Sequence, residues 1–261
     1  MAGDQNDDLM VALDGAVGRV EMRRPPHNFF DDEMMTRIAD AYDHFDREPA
    51  CRVIVLCSEG KNFCAGADYP ASDNKTSDRP SLSLDAFFQQ VVRLFRCETP
   101  VVAAIQGAAV GGGLGLAVSA DFRVACPEAR FSANFVRLGF NPGFGLPITL
   151  PALIGHQRAK LMMLTGRRIR GDQAFAWGLA DACVPRDQVR EQAIALAREI
   201  AACAPLAIGS TRRTLRADLA DRIEAANAHD LAEQHRLRAT ADWQEGVDAA
   251  AARREPQFIG R

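Results

Sequence analysis

The chain has 261 residues, of which 48% are hydrophobic and 25% are charged, and this is the composition of a folded globular protein. The length is enough for one large domain, or for one domain with an appended subdomain, around a sizeable apolar core. The 31 Lys and Arg against 34 Asp and Glu leave a formal net charge of -3. Because there is no basic excess, we expect neither a nucleic acid nor a membrane surface as a partner.

The cysteines and the N-terminus indicate the compartment. Seven cysteines occur without any C-x-x-C pair, and most lie inside apolar runs. This usage is typical of reduced core thiols, and it favours neither a disulfide framework nor a zinc site. The acidic N-terminus, MAGDQNDDLM, lacks the basic and then apolar pattern of an export signal. We therefore expect a cytoplasmic location.

The first half of the chain predicts repeated strand and helix units. Residues 9–13 and 17–22 flank Asp14-Gly15, a dipeptide typical of a hairpin turn. Asp31-Asp32 then precedes apolar residues at helical spacing, as at the start of a capped amphipathic helix. Three continuous apolar runs predict strands covered on both faces, at 53–56, 101–105 and 122–126, and helical patterns separate them at 84–95 and 114–120. The order predicts crossover units and a mostly parallel sheet.

Residues 99–120 carry no charge and need a separate interpretation. The stretch contains Pro100, Gln106 and five glycines, so it predicts a buried strand, a tight loop and a buried helix rather than a membrane span. Beyond about Pro151 the pattern becomes helical, with no strand candidate of similar quality. The predicted helices are 159–164, 171–177, 187–203 and 205–238. We expect a core over residues 1–200 and a C-terminal helical region over residues 201–261.

Several common catalytic motifs are missing from the sequence. No register of Gly111 to Gly115 fits G-x-G-x-x-G, since the sixth position counted from Gly111 and Gly113 is Leu116. The sequence also lacks a P-loop, an H-E-x-x-H and a G-x-S-x-G motif. Its five histidines are scattered, which is more typical of structural residues than of ligands.

Two glycine-bearing segments each follow a predicted strand, K-N-F-C-A-G-A-D at 61–68 and G-A-A-V-G-G-G at 107–113. With these segments the chain resembles the enoyl-CoA hydratase/isomerase, or crotonase, superfamily, which carries F-x-A-G-x-D and A-x-x-G-x-x-x-G-G-G loops in this order. The resemblance continues through L-T-G-R at 164–167, A-x-x-W-G-L-A at 174–180 and the tail from Glu245. It implies an α/β fold of the crotonase-type ββα spiral, with a C-terminal helical trimerisation region.

The chemistry of the two loops agrees with that resemblance. Glycine lets the backbone approach a ligand closely, and the first amides of a helix point outward with the positive end of the helix dipole behind them. If residues 114–120 are helical, Gly112 lies at the helix entrance, and the resemblance implies Ala67 as the second amide of an oxyanion hole. Either segment alone could be only a tight turn. The two together favour stabilisation of a thioester enolate.

The resemblance also implies how coenzyme A is held. Ala65, Ala67, Asp68 and Tyr69 would line the pocket for the adenine end, while Met22 and Arg24 would touch the pantetheine or the phosphates. Asp68 and Arg24 could equally be capping and surface residues. The full set expected to contact substrate is Met22, Arg24, Ala65, Ala67, Asp68, Tyr69, Gly111, Gly112, Phe135, Pro142 and Gly143. Coenzyme A would arrive as part of the substrate, and we expect no permanently bound cofactor and no metal.

The sequence departs from the family where proton transfer takes place. Hydration needs carboxylates that hold and activate water. Gly115 and Phe135 stand at the positions of the two hydratase glutamates, and Gly143 stands where some isomerases and a dehalogenase of the same fold use a polar residue. None of these three can ionise. Phe135 could simply pack with Phe131, and the polar residues that could substitute are Asp68, Tyr69, Asn134, Asn141 and His27.

The resemblance therefore implies an acyl-CoA-processing enzyme of the hydratase/isomerase type, a lyase or an isomerase, in which hydratase activity itself is in question. One alternative is a different reaction of the superfamily, such as isomerisation, thioester hydrolysis or decarboxylation. A second alternative is a non-catalytic homologue that binds acyl-CoA. The family's habit and the long helical C-terminal part imply a homotrimer, or a hexamer built as a dimer of trimers.

Overall fold

A computed structural model of the protein describes residues 8–67, 69 and 83–261. In these residues the strands are β1 (Leu9–Asp14), β2 (Val17–Met22), β3 (Val53–Ser58), β4 (Val101–Ile105), β5 (Ala108–Val110), β6 (Phe122–Ala125), β7 (Arg130–Ser132), β8 (Arg168–Arg170) and β9 (Ala182–Cys183). The α-helices are α1 (Asp32–Arg47), α2 (Leu84–Arg96), α3 (Gly112–Ser119), α4 (Leu146–Ile154), α5 (His156–Thr165), α6 (Gly171–Trp177), α7 (Val189–Ala201), α8 (Pro205–Leu215), α9 (Leu219–Arg238) and α10 (Ala241–Ala251). Short 3-10 helices span Asn134–Leu138 and Arg186–Gln188.

The larger sheet has six strands in the order β1-β2-β3-β4-β6-β9. The β1–β2 pair is the antiparallel hairpin expected around Gly15, which has a φ of +58°. The other neighbours pair in parallel. Every residue of β3 and of β4 is buried, because helices or further layers cover both faces of these strands. The predicted parallel sheet of apolar strands is confirmed.

A second, smaller sheet brings the two glycine segments together. It has the order β5-β7-β8, and isolated parallel bridges join Cys64 to Ala109 and Phe30 to Ala67. Successive turns of the chain therefore run from the large sheet to this second layer and then into a helix. The segments 61–67 and 107–113 leave neighbouring strands at the same edge, and this places them side by side.

The C-terminal half differs from the prediction in four places, one of which is helix α10, which lies beyond the last predicted helix. The strands β8 and β9 have only 3 and 2 residues, which is too short for a recognisable apolar pattern. They are strands because they pair with β7 and β6. Helix α4 was not predicted, although Pro147 lies in its first turn, where the missing N–H costs nothing. The predicted helix 205–238 is two helices, because the chain turns at Asp218 with a φ of +63°.

The helices of the second half pack on the core in two ways. Helix α7 covers β3, β4 and β6. Helix α9 packs on α2, and α10 packs on the 3-10 helix Asn134–Leu138. Helices before and after residue 200 therefore have different packing partners. The division of the chain into a core over residues 1–200 and a C-terminal region over residues 201–261 stays a prediction.

The uncharged stretch 99–120 forms β4, β5 and α3, with most of its side chains buried. Among the described residues no single helix is long and apolar enough to cross a membrane. A pair of helical segments, 186–201 and 205–215, meets the length and composition test only when taken together, and the two are bent by 107°. Five of the seven cysteines are buried in the core.

A buried ion cluster ties α8 to the end of the large sheet. Asp121 accepts hydrogen bonds from Arg212 Nε at 2.9 Å, Arg216 Nη1 at 2.8 Å and the Val101 amide at 2.8 Å. Burial by itself would raise the pKa of Asp121, but the charges of the two arginines and these hydrogen bonds outweigh it, so the pKa lies below its ordinary value. The carboxylate is therefore ionised in the folded protein at neutral pH.

We expect Asp121→Asn to lower the free energy of unfolding at pH 7 by about 3–5 kcal/mol, because two arginines lose their shared counter-charge. The measurement is urea denaturation followed by circular dichroism. Since the pKa is lower in the folded state, the stabilisation is present above the ordinary aspartate pKa and is lost as pH falls through the folded value. The difference between the two proteins should therefore shrink in acid.

Asp14→Asn is the matched control, since Asp14 is exposed and pairs across 3.3 Å with the exposed Arg198. Its effect should stay within about 0.5 kcal/mol. Equal losses in the two variants would contradict the assigned role of the buried cluster.

Candidate active site

A pocket that is partly open to solvent lies where the glycine segments, residues 134–144 and α9 meet. Its lining is mainly apolar and aromatic, with a few polar side chains, as in most small-molecule sites. The lining residues are Phe30, Ala65, Gly66, Ala67, Tyr69, Leu84, Phe87, Gly111, Gly112, Asn134, Phe135, Leu138, Phe140, Gly143, Phe144 and Gln234. The pocket is the candidate active site.

The two glycine segments touch backbone to backbone beside this pocket. The Cys64 amide donates to the Ala108 carbonyl at 2.8 Å, and the Val110 amide donates to the Cys64 carbonyl at 3.1 Å. A Cβ at Gly113 would lie 2.1 Å from the Cys64 oxygen, and a Cβ at Gly66 would lie 2.9 Å from the Val110 oxygen. Only glycine at these two positions allows the segments to approach so closely.

Gly111 sets the start of α3. Its φ of +57° and ψ of -123° belong to a region that side-chain-bearing residues avoid. Its amide donates to the Ser132 carbonyl at 2.8 Å, and its own carbonyl accepts from the amides of Leu114 and Gly115. Helix α3 therefore begins at Gly112, whose amide has no partner within the helix.

The amides of Ala67 and Gly112 are the donors that the sequence singled out. Within the described part of the chain neither amide donates a hydrogen bond. In the isolated β-bridge between Phe30 and Ala67, the Phe30 amide donates to the Gly66 carbonyl at 3.0 Å. The Ala67 amide takes no part in this bridge. Both residues line the pocket. Two such donors, one with a helix dipole behind it, can bind an oxygen that gains negative charge.

The space beside Gly115 is filled by an aromatic ring. A Cβ at Gly115 would lie 2.3 Å from Cγ of Phe144. The Phe144 side chain is 1% exposed, and its backbone has a φ of +57°, which is unusual for a residue other than glycine. The resemblance implies that hydratases carry a carboxylate at position 115, and in this protein the Phe144 ring fills the space beside that position.

Three phenylalanines pack together at this end of the pocket, and we call Phe30, Phe87 and Phe144 the phenylalanine cluster. The Phe30 and Phe87 rings stack at 5.3 Å, and the Phe144 ring meets Phe87 edge-on at 5.5 Å. A Cβ at Gly112 would lie 2.4 Å from the tip of the Phe30 ring. The cluster therefore reaches both Gly112 and Gly115. Sequence reasoning missed it, because its members come from three segments that no local pattern connects.

Of the three positions where the resemblance implies an acid or base, Phe135 and Gly143 line the pocket, whereas Gly115 is not part of the lining. Phe135 packs edge-on against Phe140 at 5.3 Å, and no ring contact with Phe131 occurs among the described aromatic residues. A Cβ at Gly143 would lie 2.8 Å from Nε2 of Gln234. The described lining thus contains no Asp, Glu, His, Lys or Arg.

Tyr69 is the one described lining residue with an ionisable side chain. Its ring packs edge-on against Trp243 at 4.9 Å, and the Arg238 guanidinium lies 5.2 Å from the ring centroid. Burial raises the pKa of Tyr69, against an opposing effect of the Arg238 charge, so the phenol is neutral at pH 7. It can donate a proton or a hydrogen bond, but it is a poor base.

The structure brings together most of the predicted contact residues and separates a few. The members that line the pocket are Ala65, Ala67, Tyr69, Gly111, Gly112, Phe135 and Gly143. Met22 is 1% exposed within β2, and Pro142 is not part of the lining. Arg24 binds the carboxylates of Asp8 and Asp31 at 2.7 Å each, which favours its capping interpretation. Asp68 lies outside the described residues.

The polar residues that could substitute for the expected carboxylates lie in different parts of the structure. Asn134 lines the pocket as Tyr69 does, and its Oδ1 would lie 3.1 Å from a Cβ at Gly111. Asn141 lies behind the lining, and the His27 ring nitrogen lies 3.4 Å from the Asn62 amide nitrogen. In the described residues no group of His, Cys, Asp and Glu is placed to hold a metal ion.

Comparison with known proteins agrees with this geometry. The sequence model of the Enoyl-CoA hydratase/isomerase family matches residues 13–261. The chain belongs to this family. It is an acyl-CoA-processing enzyme of the crotonase superfamily, and the predicted fold class is confirmed.

Individual relatives cover almost the whole chain. The 1,2-epoxyphenylacetyl-CoA isomerase of Escherichia coli is 30% identical over 97% of this chain and 98% of its own length. The carnitinyl-CoA dehydratase of Proteus mirabilis is 30% identical over 98% of this chain and 100% of its own length. The crystal structure of an enoyl-CoA hydratase/isomerase from Pseudoalteromonas atlantica has a TM-score of 0.85 at 26% identity, covering 97% of this chain and 100% of that one.

We expect Gly115→Ala to lower the free energy of unfolding by about 1–3 kcal/mol, because the new methyl group overpacks against the Phe144 ring. In a Phe144→Gly background the same change should cost nothing, since the ring is gone. Urea denaturation of the four proteins of this double-mutant cycle measures the coupling.

Gly209→Ala in α8 is the control, because the nearest atom to a Cβ there lies at 3.8 Å. That change should be neutral or slightly stabilising through helix propensity. If Gly115→Ala behaves like Gly209→Ala, Phe144 does not fill the space beside Gly115.

Proposed function

We propose that the protein binds an acyl-CoA thioester with the thioester oxygen between the amides of Ala67 and Gly112, where it stabilises an enolate or a tetrahedral adduct. The supporting observation is that two amides without partners border one pocket from adjacent segments. Each donor of such an oxyanion hole contributes about 3 kcal/mol to transition-state stabilisation in comparable enzymes. The apolar surroundings strengthen both donors, because they exclude competing water.

Hydration of an enoyl thioester does not suit this pocket. Water must be positioned and deprotonated, and a second proton must reach the adjacent carbon. Gly115, Phe135 and Gly143 supply no acid or base, and the Phe144 ring occupies the space beside Gly115. The phenylalanine cluster thus leaves a surface that cannot hold a reactive water by hydrogen bonds.

A reaction that forms its enolate without a side-chain base suits the pocket best. Decarboxylation of a thioester with a carboxylate on Cα is such a reaction. The bond from Cα to the carboxylate breaks, its electron pair enters the enolate, carbon dioxide leaves, and Cα then takes up a proton from solvent. The two amides would stabilise the enolate oxygen throughout. The alternative is a non-catalytic protein that binds acyl-CoA, because the same two amides could hold a thioester oxygen without any reaction.

We also propose a homotrimer, or a hexamer built as a dimer of trimers, with the C-terminal helices in its contacts. Large apolar side chains are exposed on α8, namely Leu206 at 88% and Leu215 at 80%. Leu164 at the end of α5 and Phe175 on α6 are exposed as well, at 74% and 51%. Subunit contacts would cover such side chains.

We expect Ala67→Pro to reduce the preference for a thioester over the matching thioether, which lacks the carbonyl oxygen. Proline removes the Ala67 amide hydrogen, and this amide has no partner among the described residues that would be lost with it. One neutral hydrogen bond contributes about 1 kcal/mol, so the preference measured by calorimetry should fall about fivefold. Ala67→Gly keeps the amide and should keep the preference. A proline variant that retains it would refute the assigned donor.

We expect crotonyl-CoA to remain essentially unhydrated, because the pocket lacks both hydratase carboxylates. The measurement is mass spectrometry of a panel of thioesters incubated with the protein, including crotonyl-CoA and methylmalonyl-CoA. Loss of carbon dioxide from methylmalonyl-CoA would support decarboxylation, and binding without conversion of any thioester would indicate the non-catalytic alternative. Hydration near the common enzyme range of about 1–10³ s⁻¹ would contradict the proposal and make Tyr69 and Asp68 the first suspects.

A further inference from the structure

Helix α9 presents a buried polar face to the rest of the protein. Asn227, Asp230 and Gln234 are 7%, 7% and 4% exposed, and they follow the fully buried Ile223 at helical spacing. Burying polar groups is unfavourable unless they are hydrogen-bonded, yet Asn227 Oδ1 and Asp230 Oδ2 have no partner in the described residues. Packing alone would favour apolar residues here. The polar residues on this face of α9 therefore need a reason other than packing.

Gln234 is the member of this face that reaches the pocket. Its Nε2 donates to the backbone carbonyl of Asn141 at 3.2 Å. A carbonyl oxygen can only accept, so this bond fixes which end of the amide points toward Asn141. The other end, Oε1, receives no hydrogen bond from any described residue and is not enclosed by protein atoms. One residue of the pocket lining therefore carries a hydrogen-bond acceptor that no described residue pairs.

The pocket that Gln234 lines is rich in aromatic side chains. Six of the sixteen lining residues are Phe or Tyr. One group is the phenylalanine cluster, and the other consists of Tyr69, Phe135 and Phe140. Both groups border the pocket, and no ring contact joins them in the described part of the chain. A flat ring bound in the pocket would therefore meet aromatic partners.

We propose that Gln234 is a specificity-determining residue, and that the acyl group is an aromatic ring whose hydroxyl donates to Gln234 Oε1. An apolar acyl group would leave this acceptor unpaired in an apolar wall, which costs affinity. Gly143 makes the arrangement possible, because a Cβ there would lie 2.8 Å from Gln234 Nε2. The inference rests on the proposed function, in which this pocket holds the acyl group of a thioester.

The test is calorimetric titration of the wild-type protein with four thioesters and with free coenzyme A. The thioesters are phenylacetyl-CoA, its 3- and 4-hydroxy derivatives, and 6-hydroxyhexanoyl-CoA. We expect one of the hydroxyphenylacetyl thioesters to bind about tenfold more tightly than phenylacetyl-CoA, and also more tightly than the aliphatic hydroxy thioester. If neither hydroxyl isomer gains affinity, or if the aliphatic thioester binds as tightly, the inference is wrong.

A Gln234→Met variant isolates the residue, since methionine has a similar volume and no strong acceptor. The gain from the hydroxyl should disappear, while phenylacetyl-CoA should bind at least as tightly as before. Gln244→Met, at an exposed position of α10, is the matched control and should keep the gain. Retention of the gain in a folded Gln234→Met protein would overturn the assignment, and the wild-type comparison decides the ligand class even if that variant does not fold.

Failure of the proposed function has a different result. In that case no thioester would bind more tightly than free coenzyme A, whatever its acyl group. If thioesters bind tightly but show no effect of the hydroxyl, only the role of Gln234 is refuted.

Discussion

The close contact between the segments 61–67 and 107–113 is the constraint on which the site depends. A Cβ at Gly107 would lie 2.1 Å from the Lys61 oxygen, and one at Gly113 would lie equally close to the Cys64 oxygen. Any side chain at either position would push the segments apart. The same contact holds the Ala67 and Gly112 amides next to each other at the pocket. Two strands of a parallel sheet thus deliver two donors to one place.

Around those amides the described pocket lining is rich in aromatic rings and contains no carboxylate or imidazole. The phenylalanine cluster reaches Gly112 and Gly115, and Phe135 faces the same pocket. Such a lining excludes water and so strengthens the electrostatic effect of the amides, but it removes the means of moving protons. A fold can keep its backbone donors while its side chains change, so membership of the family does not by itself fix which reaction this chain supports.

The C-terminal helices are part of the pocket rather than an addition to it. Helix α9 contributes Gln234, and Arg238 with Trp243 covers the Tyr69 ring at 5.2 and 4.9 Å. Helices α9 and α10 therefore contribute side chains to the pocket and its surroundings, while the segments 61–67 and 107–113 contribute the amides of Ala67 and Gly112. A division of the chain near residue 200 describes packing but does not separate the functions, since one pocket draws on both parts.

The sequence by itself determined the features that depend on neighbours along the chain. The hairpin at Gly15, the buried strands β3 and β4, and the glycine segments that lead to Ala67 and Gly112 follow from local patterns of turn residues and apolar runs. The sequence also shows directly that positions 115 and 135 carry no carboxylate. Only the tertiary structure decided that Phe144 fills the space beside Gly115 and that Gln234 reaches the pocket. These contacts join residues far apart in the chain, and long-range packing, which no local pattern encodes, sets which of them meet.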